Sequence, residues 1–200
     1  MATSRRPPRA PPFESIYRHG YARVAAATPR VEVASPAVNL AATLELARRA
    51  ARDQVVLAVF PELGLSAYSN EDLFQQDALL DASLEALRGL AEASRDLPLA
   101  LAVGLPLRAD DRLFNCAVLV HRGRLLGVVP KTYLPNYREF YEKRQFAPAA
   151  QAVSTSLRLL GQEVPFGPRL LFAARDLPGF VLHLEVCEDL WVPLPPSTLA

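Results

Sequence analysis

Apolar residues recur along the chain at two spacings. Short runs of strand length lie at Tyr21 to Ala27 (Y-A-R-V-A-A-A) and Gln54 to Phe60 (Q-V-V-L-A-V-F). Between them, Ser35-Pro36 has the chemistry of a helix start, a capping hydroxyl followed by a proline in the first turn. The pattern predicts a β-α-β unit. A second helix is predicted from about Ala78 to Ser94, where Leu80, Leu84, Leu87 and Ala91 fall on one stripe and Asp81, Glu85, Arg88 and Glu92 on the opposite face. Three closely spaced strands follow at Leu99 to Leu105, Asn115 to His121 and Leu125 to Val129, with Arg122-Gly123 as a tight turn between the last two. A mixed sheet is the result. Lys131 to Arg144 (K-T-Y-L-P-N-Y-R-E-F-Y-E-K-R) has no clean period and reads as a functional loop. Strands are expected again at Arg169 to Ala173 and Phe180 to Val186, before a proline-rich stretch from Val192 to Ala200. No internal repeat or linker divides the chain, so one α/β domain is expected from about residue 13 onward.

Half of the 200 residues are hydrophobic, 22% are charged and the formal net charge is +1. That balance supports a sizeable core and gives no general bias toward nucleic acid or membrane surfaces. Residues 1–12, with Arg5, Arg6, Arg9 and several prolines, read as a disordered basic tail, not a secretory signal. Cys116 and Cys187 cannot build a disulfide framework, and no C-x-x-C or His/Cys cluster signals a metal. A reducing, cytoplasmic setting is expected.

The chemistry gathers at three strand ends. Glu62 follows the strand ending at Phe60, Lys131 the one ending at Val129, and Cys187 the one ending at Val186. Reactive groups converge at the carboxyl ends of strands in open α/β sheets. A thiol, a carboxylate and an ammonium together suit attack on an amide. Each residue alone has a blander reading: Cys187 as a small core hydrophobe, Glu62 as a turn residue, Lys131 as a solvated loop charge. Cys116, within L-F-N-C-A-V-L-V, keeps the core reading. A thiolate abundant at neutral pH requires a cation such as Lys131, whereas Glu185, Glu188 and Asp189 oppose it if they point at the sulfur. With strand alternation continuing, Glu185 shares a face with Cys187, and Glu188 points away.

F-P-E-L at Phe60 to Leu63, P-K-T-Y-L-P at Pro130 to Pro135 and E-V-C-E-D-L-W at Glu185 to Trp191 resemble the Glu, Lys and Cys motifs of the nitrilase superfamily in order and rough spacing. Y-R-H-G at Tyr17, Y-S-N-E-D-L-F at Tyr68 and N-Y-R-E-F-Y-E at Asn136 resemble, more narrowly, the glutaminase domains of the glutamine-dependent NAD(+) synthetases. Asn70, Gly64 and Ala67 depart from residues common in that branch. The resemblance implies a four-layer α-β-β-α sandwich, incomplete at its C-terminus. It implies glutamine as substrate, with Cys187 as nucleophile, Glu62 as general base and Lys131 as oxyanion partner. Tyr137 and Glu188 match positions lining a glutamine pocket.

The resemblance further implies no metal or cofactor for the hydrolysis step and a homo-oligomeric full-length enzyme. Ammonia would pass to a separate synthetase domain that uses ATP, Mg and deamido-NAD. The glycine-rich S-G-G-x-D-S loop of such a domain is not present in these residues, so the chain reads as part of a longer enzyme, inactive by itself. Three alternatives stand beside this reading: a free-standing amidase or carbamoylase, a non-catalytic docking sandwich, and a papain-like protease. The last is disfavoured because His183 lies on the nucleophile's own strand, and His19 and His121 sit in unpromising contexts.

Overall fold

A mixed five-stranded sheet, in the order β1-β2-β3-β4-β5, carries the domain. The computed structural model describes residues 12–200, so the expected basic tail lies outside the described residues except for Pro12. The strands are β1 (Val24–Ala26), β2 (Leu57–Val59), β3 (Ala100–Ala109), β4 (Arg112–His121) and β5 (Arg124–Pro130). β1, β2 and β3 pair in parallel, whereas β3, β4 and β5 pair antiparallel. Because β4 reverses the chain and β5 reverses it again, β2 and β5 run in the same direction and finish at the same end of the sheet.

Two-residue turns build the antiparallel half. Asp110 and Asp111 have φ of 51° and 56°, and Arg122 and Gly123 have 48° and 80°. Left-handed backbone at both central positions matches the twist of the flanking strands. These turns let β3 and β4 run for ten residues each, several residues beyond the stretches the apolar pattern marked.

Helices α1 (Pro36–Arg52) and α2 (Asp77–Ala93) cover one face. Ser35 occupies the N-cap of α1 with Pro36 behind it, but its hydroxyl makes no capping hydrogen bond. The first turn is pinned instead by Asn39, fully buried, which bonds Glu32 through both its N–H and its carbonyl. On α2 the expected stripe is wider. Leu80, Leu87 and Ala91 are buried, Leu84 partly so, and Leu79, Ser83, Ala86 and Leu90 form a second buried row. The helices meet alternating residues of the sheet, with Leu101, Val103, Leu105 and Leu107 on β3 and Phe114, Cys116, Val118 and Val120 on β4.

The opposite face is covered by a ribbon of β8 (Leu171–Ala173) and β9 (Val181–His183). Leu170, Phe172, Phe180 and Leu182 press from it onto Leu57, Ala102, Leu119 and Val129. Gly127 admits this contact, since a methyl there would stand 2.6 Å from the Phe172 ring. A further hairpin, β6 (Ser156–Leu159) with β7 (Gln162–Pro165), flanks β5 through a bridge from Val128 to Phe166. Of the four layers the family resemblance implies, three are visible: helices, main sheet, and a two-stranded ribbon in place of a second sheet. Among the described residues no long helix covers the ribbon's outer side, where Leu171 and Val181 are exposed. No helix among them is long and apolar enough to cross a membrane.

Candidate active site

Glu62 leaves the end of β2 on a loop that crosses directly over β3. The Leu65 N–H donates to the Gly104 carbonyl, and a methyl on Gly104 would lie 2.8 Å from the Pro61 carbonyl oxygen. Three strand spacings of about 4.8 Å separate β2 from β5, and this crossing carries Glu62 over part of that gap. The rest of the loop is fixed from behind. Asn39 donates to the Leu65 carbonyl, and buried Asn70 bonds the Ser66 and Ala67 carbonyls and accepts from the Ala34 N–H. Asn70, the departure at Y-S-N, therefore serves as a backbone clamp.

Lys131, which follows β5 immediately, is completely buried and is held between two carboxylates. Its Nζ lies 2.7 Å from Glu62 Oε1 and 2.7 Å from Glu142 Oε1. Burial works against the lysine's charge, but the two carboxylates outweigh it and hold its pKa above the ordinary lysine value. Asn115, on β4, donates its side-chain N–H to the same Glu62 oxygen at 2.6 Å, so Glu62 is gripped at Oε1 and its second oxygen is left free. Tyr68 donates to Glu142 Oε1 at 2.7 Å, and burial together with that carboxylate drives its hydroxyl pKa far up. Glu142 Oε2 and Asn115 Oδ1 are buried without a partner. Burial and the neighbouring Glu62 charge raise the Glu142 carboxyl pKa, while Lys131 and Tyr68 pull it down.

Cys187 does not extend a strand. β9 ends at His183, and the chain reaches Cys187 in left-handed backbone, φ 47°, at the start of a short 3₁₀ turn, Cys187–Leu190. That conformation costs a residue with a side chain about 1–2 kcal/mol, and it ends the alternation expected through Val186. The thiol is exposed, in contrast with Cys116, which is 1% exposed. Its pKa is raised, first by desolvation and then by the Glu62 charge; Lys131 lowers it, while Glu142 raises it further. The balance between cation and acids that the sequence left open therefore falls on the side of the protonated thiol. Beside the desolvation, one ammonium shared by two carboxylates leaves a net negative surround that favours the protonated thiol.

None of the three acids beside the cysteine aims at the sulfur. Glu185 accepts from the Ser197 N–H, Glu188 from the Tyr137 hydroxyl at 2.9 Å, and buried Asp189 from backbone N–H groups. Tyr137 and Glu188 thus meet, and together with Thr132, Tyr133, Pro135 and Val192 they line a cleft of about 760 Å³. His183 bonds the Leu170 carbonyl and His121 the Leu99 carbonyl. The structure joins Glu62 to Lys131 directly and brings Cys187 into their field. Asn115 was not singled out by the sequence, and Tyr68 and Glu142 entered only as letters of the motifs that carry the resemblance, with no role assigned. For Glu142 the available signal was its place in the aperiodic loop after Lys131; for Asn115 it was a polar residue inside an otherwise apolar strand.

The carbon–nitrogen hydrolase family model matches residues 23–200. The chain belongs to the carbon–nitrogen hydrolase family. As a carbon–nitrogen hydrolase it is 55% identical over 188 residues to the glutamine-dependent NAD(+) synthetase of Mycobacterium tuberculosis, a match covering 94% of this chain and 28% of the relative. The chain therefore spans little more than a quarter of the length of that synthetase. Its fold is similar to the crystal structure of a glutamine-dependent NAD(+) synthetase from Cytophaga hutchinsonii, with TM-score 0.71 and 26% identity over 78% of this chain and 26% of the other. An amidase from Nesterenkonia shares the fold at TM-score 0.65 and 23% identity, over 87% of this chain and 58% of the amidase. This carbon–nitrogen hydrolase thus has an α/β fold of the nitrilase type.

Proposed function

We propose that this domain hydrolyses the side-chain amide of glutamine and releases ammonia, with Cys187 as nucleophile. The observation that carries the reading is the completely buried Lys131 held between Glu62 and Glu142, beside an exposed thiol. The sulfur attacks the carboxamide carbon while Glu62, through its free oxygen, takes the thiol proton. Two of the three ammonium protons of Lys131 engage carboxylates, and the third is available to the developing oxyanion. The C–N bond then breaks, the proton on Glu62 passes to the nitrogen, and ammonia leaves a thioester. Water attacks the thioester with Glu62 again taking a proton, the sulfur regains its own, and glutamate departs. In this reading no metal or cofactor takes part in the hydrolysis.

The raised Cys187 pKa supports a base that works during attack over a preformed thiolate. Tyr137 and Glu188, paired on the wall of the cleft, would hold the amino-acid end of the substrate. The relatives' names support glutamine as the nitrogen source and NAD formation as the use of the ammonia; in the complete enzyme, ATP, Mg and deamido-NAD would be bound by a separate synthetase domain. In the complete enzyme, Cys187→Ala should abolish glutamine hydrolysis; retained hydrolysis overturns the assignment. In this chain, an electrophilic glutamine analogue should label Cys187 and leave Cys116 untouched.

A further inference from the structure

Asp189 is 1% exposed, and both of its oxygens are spent on the backbone of two segments far apart in sequence. Oδ1 accepts the Tyr133 N–H at 2.8 Å and the Thr132 N–H at 3.0 Å; Oδ2 accepts the Val186 N–H at 3.2 Å. The Asp189 N–H in turn donates to the Val186 carbonyl at 3.1 Å. One carboxylate thus grips the two amides after Lys131 and the amide before Cys187. Apolar packing anchors this turn only at its entry, where Val186 is buried; at its exit Leu190 and Trp191 are 60% and 74% exposed. A charged acceptor bound to several backbone N–H groups is a strong and directional clamp.

We infer that Asp189 is a positioning residue that sets the distance of the Cys187 sulfur from Lys131 and Glu62. It touches no reacting atom; it acts through the backbone on each side. The inference rests on the catalytic reading above. If it holds, loosening Asp189 releases Cys187 from the groups that face it, namely Glu62, Lys131 and Glu142, with Tyr68 and Tyr137 at its margin. A thiol so released titrates like an ordinary cysteine, near about 8.5.

The test is the pH profile of iodoacetamide labelling at Cys187 in the 200-residue chain, read by mass spectrometry with Cys116 as internal control. Four proteins are compared: wild type, Glu62→Gln, Asp189→Asn, and the double variant. In wild type the midpoint should lie above the ordinary thiol value and fall when Glu62 becomes Gln. In Asp189→Asn it should drop to the ordinary value, and the Glu62→Gln change should then add nothing. An unchanged profile in Asp189→Asn, with full response to Glu62→Gln, overturns the inference and leaves the catalytic reading intact. If Glu62→Gln is silent in wild type, the catalytic reading itself fails. Labelling of Cys116 in both Asp189→Asn and Asp189→Ala would make the residue a support of the whole core, and that too overturns the inference.

Discussion

The crossing of the Glu62 loop over Gly104 makes a single methyl group a strong perturbation. Gly104 lies in regular strand, paired with Ala117, so alanine there meets no backbone penalty of its own. The obstacle is contact: the new carbon would stand 2.8 Å from the Pro61 oxygen, 2.9 Å from the Glu62 carbonyl carbon and closer still to the Leu63 nitrogen. All three are backbone atoms and cannot rotate aside. The loop must lift by about 1 Å to reach ordinary van der Waals separation of about 3.5–4.0 Å. Overpacking of this kind costs about 1–3 kcal/mol, and loss of the bond from the Leu65 N–H to the Gly104 carbonyl adds about 1 kcal/mol. Gly104→Ala should therefore lose about 2–4 kcal/mol in guanidinium unfolding. The same lift draws Glu62 from Lys131 and Asn115, now 2.7 and 2.6 Å away, and a misplacement of about 1 Å can lower a rate by about 100-fold. Labelling of Cys187 by the glutamine analogue should slow accordingly. An unfolding midpoint and labelling rate both within error of wild type would refute the reasoning.

Lys131→Met leaves Glu62 and Glu142 facing each other without their shared cation, and should cost about 3–5 kcal/mol in unfolding at pH 7; a loss below about 1 kcal/mol would contradict the buried ion cluster. Because the folded Lys131 pKa is raised, its pairing stabilises fully below the unfolded value of about 10.4 and is lost as pH rises through the folded value. Alkaline melting curves should show that loss in wild type and not in Lys131→Met. Glu142→Gln removes one of the negative charges that hold the Cys187 proton, so iodoacetamide labelling at neutral pH should speed up several-fold; a slower rate would reverse the assigned sign. Gly127→Ala drives a methyl into Phe172 and should destabilise the domain by about 1–3 kcal/mol in chemical unfolding while leaving Cys187 labelling unchanged.

The mixed sheet, both helices and the strand ends that carry Glu62 and Lys131 were readable because apolar spacing reports burial, and burial orders these elements. Other features lay beyond that signal. The β6–β7 hairpin turns at Leu160 and Gly161, with φ of 49° and 76°, and its strands, four residues each, alternate over too short a span to stand out. Nothing in the letters E-V-C-E marks left-handed backbone at Cys187, so the strand was extended three residues too far. Glu142 sits in a loop where direction depends on the Tyr68 and Lys131 contacts, which are 74 and 11 residues away in sequence. Asp189, read with Glu185 and Glu188 as one of three acids opposing the thiolate, turns to backbone amides that spacing could not identify.

The clustered site also has a history in time. The β4–β5 hairpin closes over a two-residue turn and needs no distant partner, whereas Lys131 reaches Glu62 across 69 residues and Asp189 reaches Thr132 across 57. Long closures are entropically slower than local ones. On a ribosome adding about 5–20 residues each second, the sheet and its lysine can settle for several seconds before residue 189 exists. A domain that folds in step with its synthesis would assemble the ammonium and both carboxylates before the sulfur exists, so the thiol would join groups already in place.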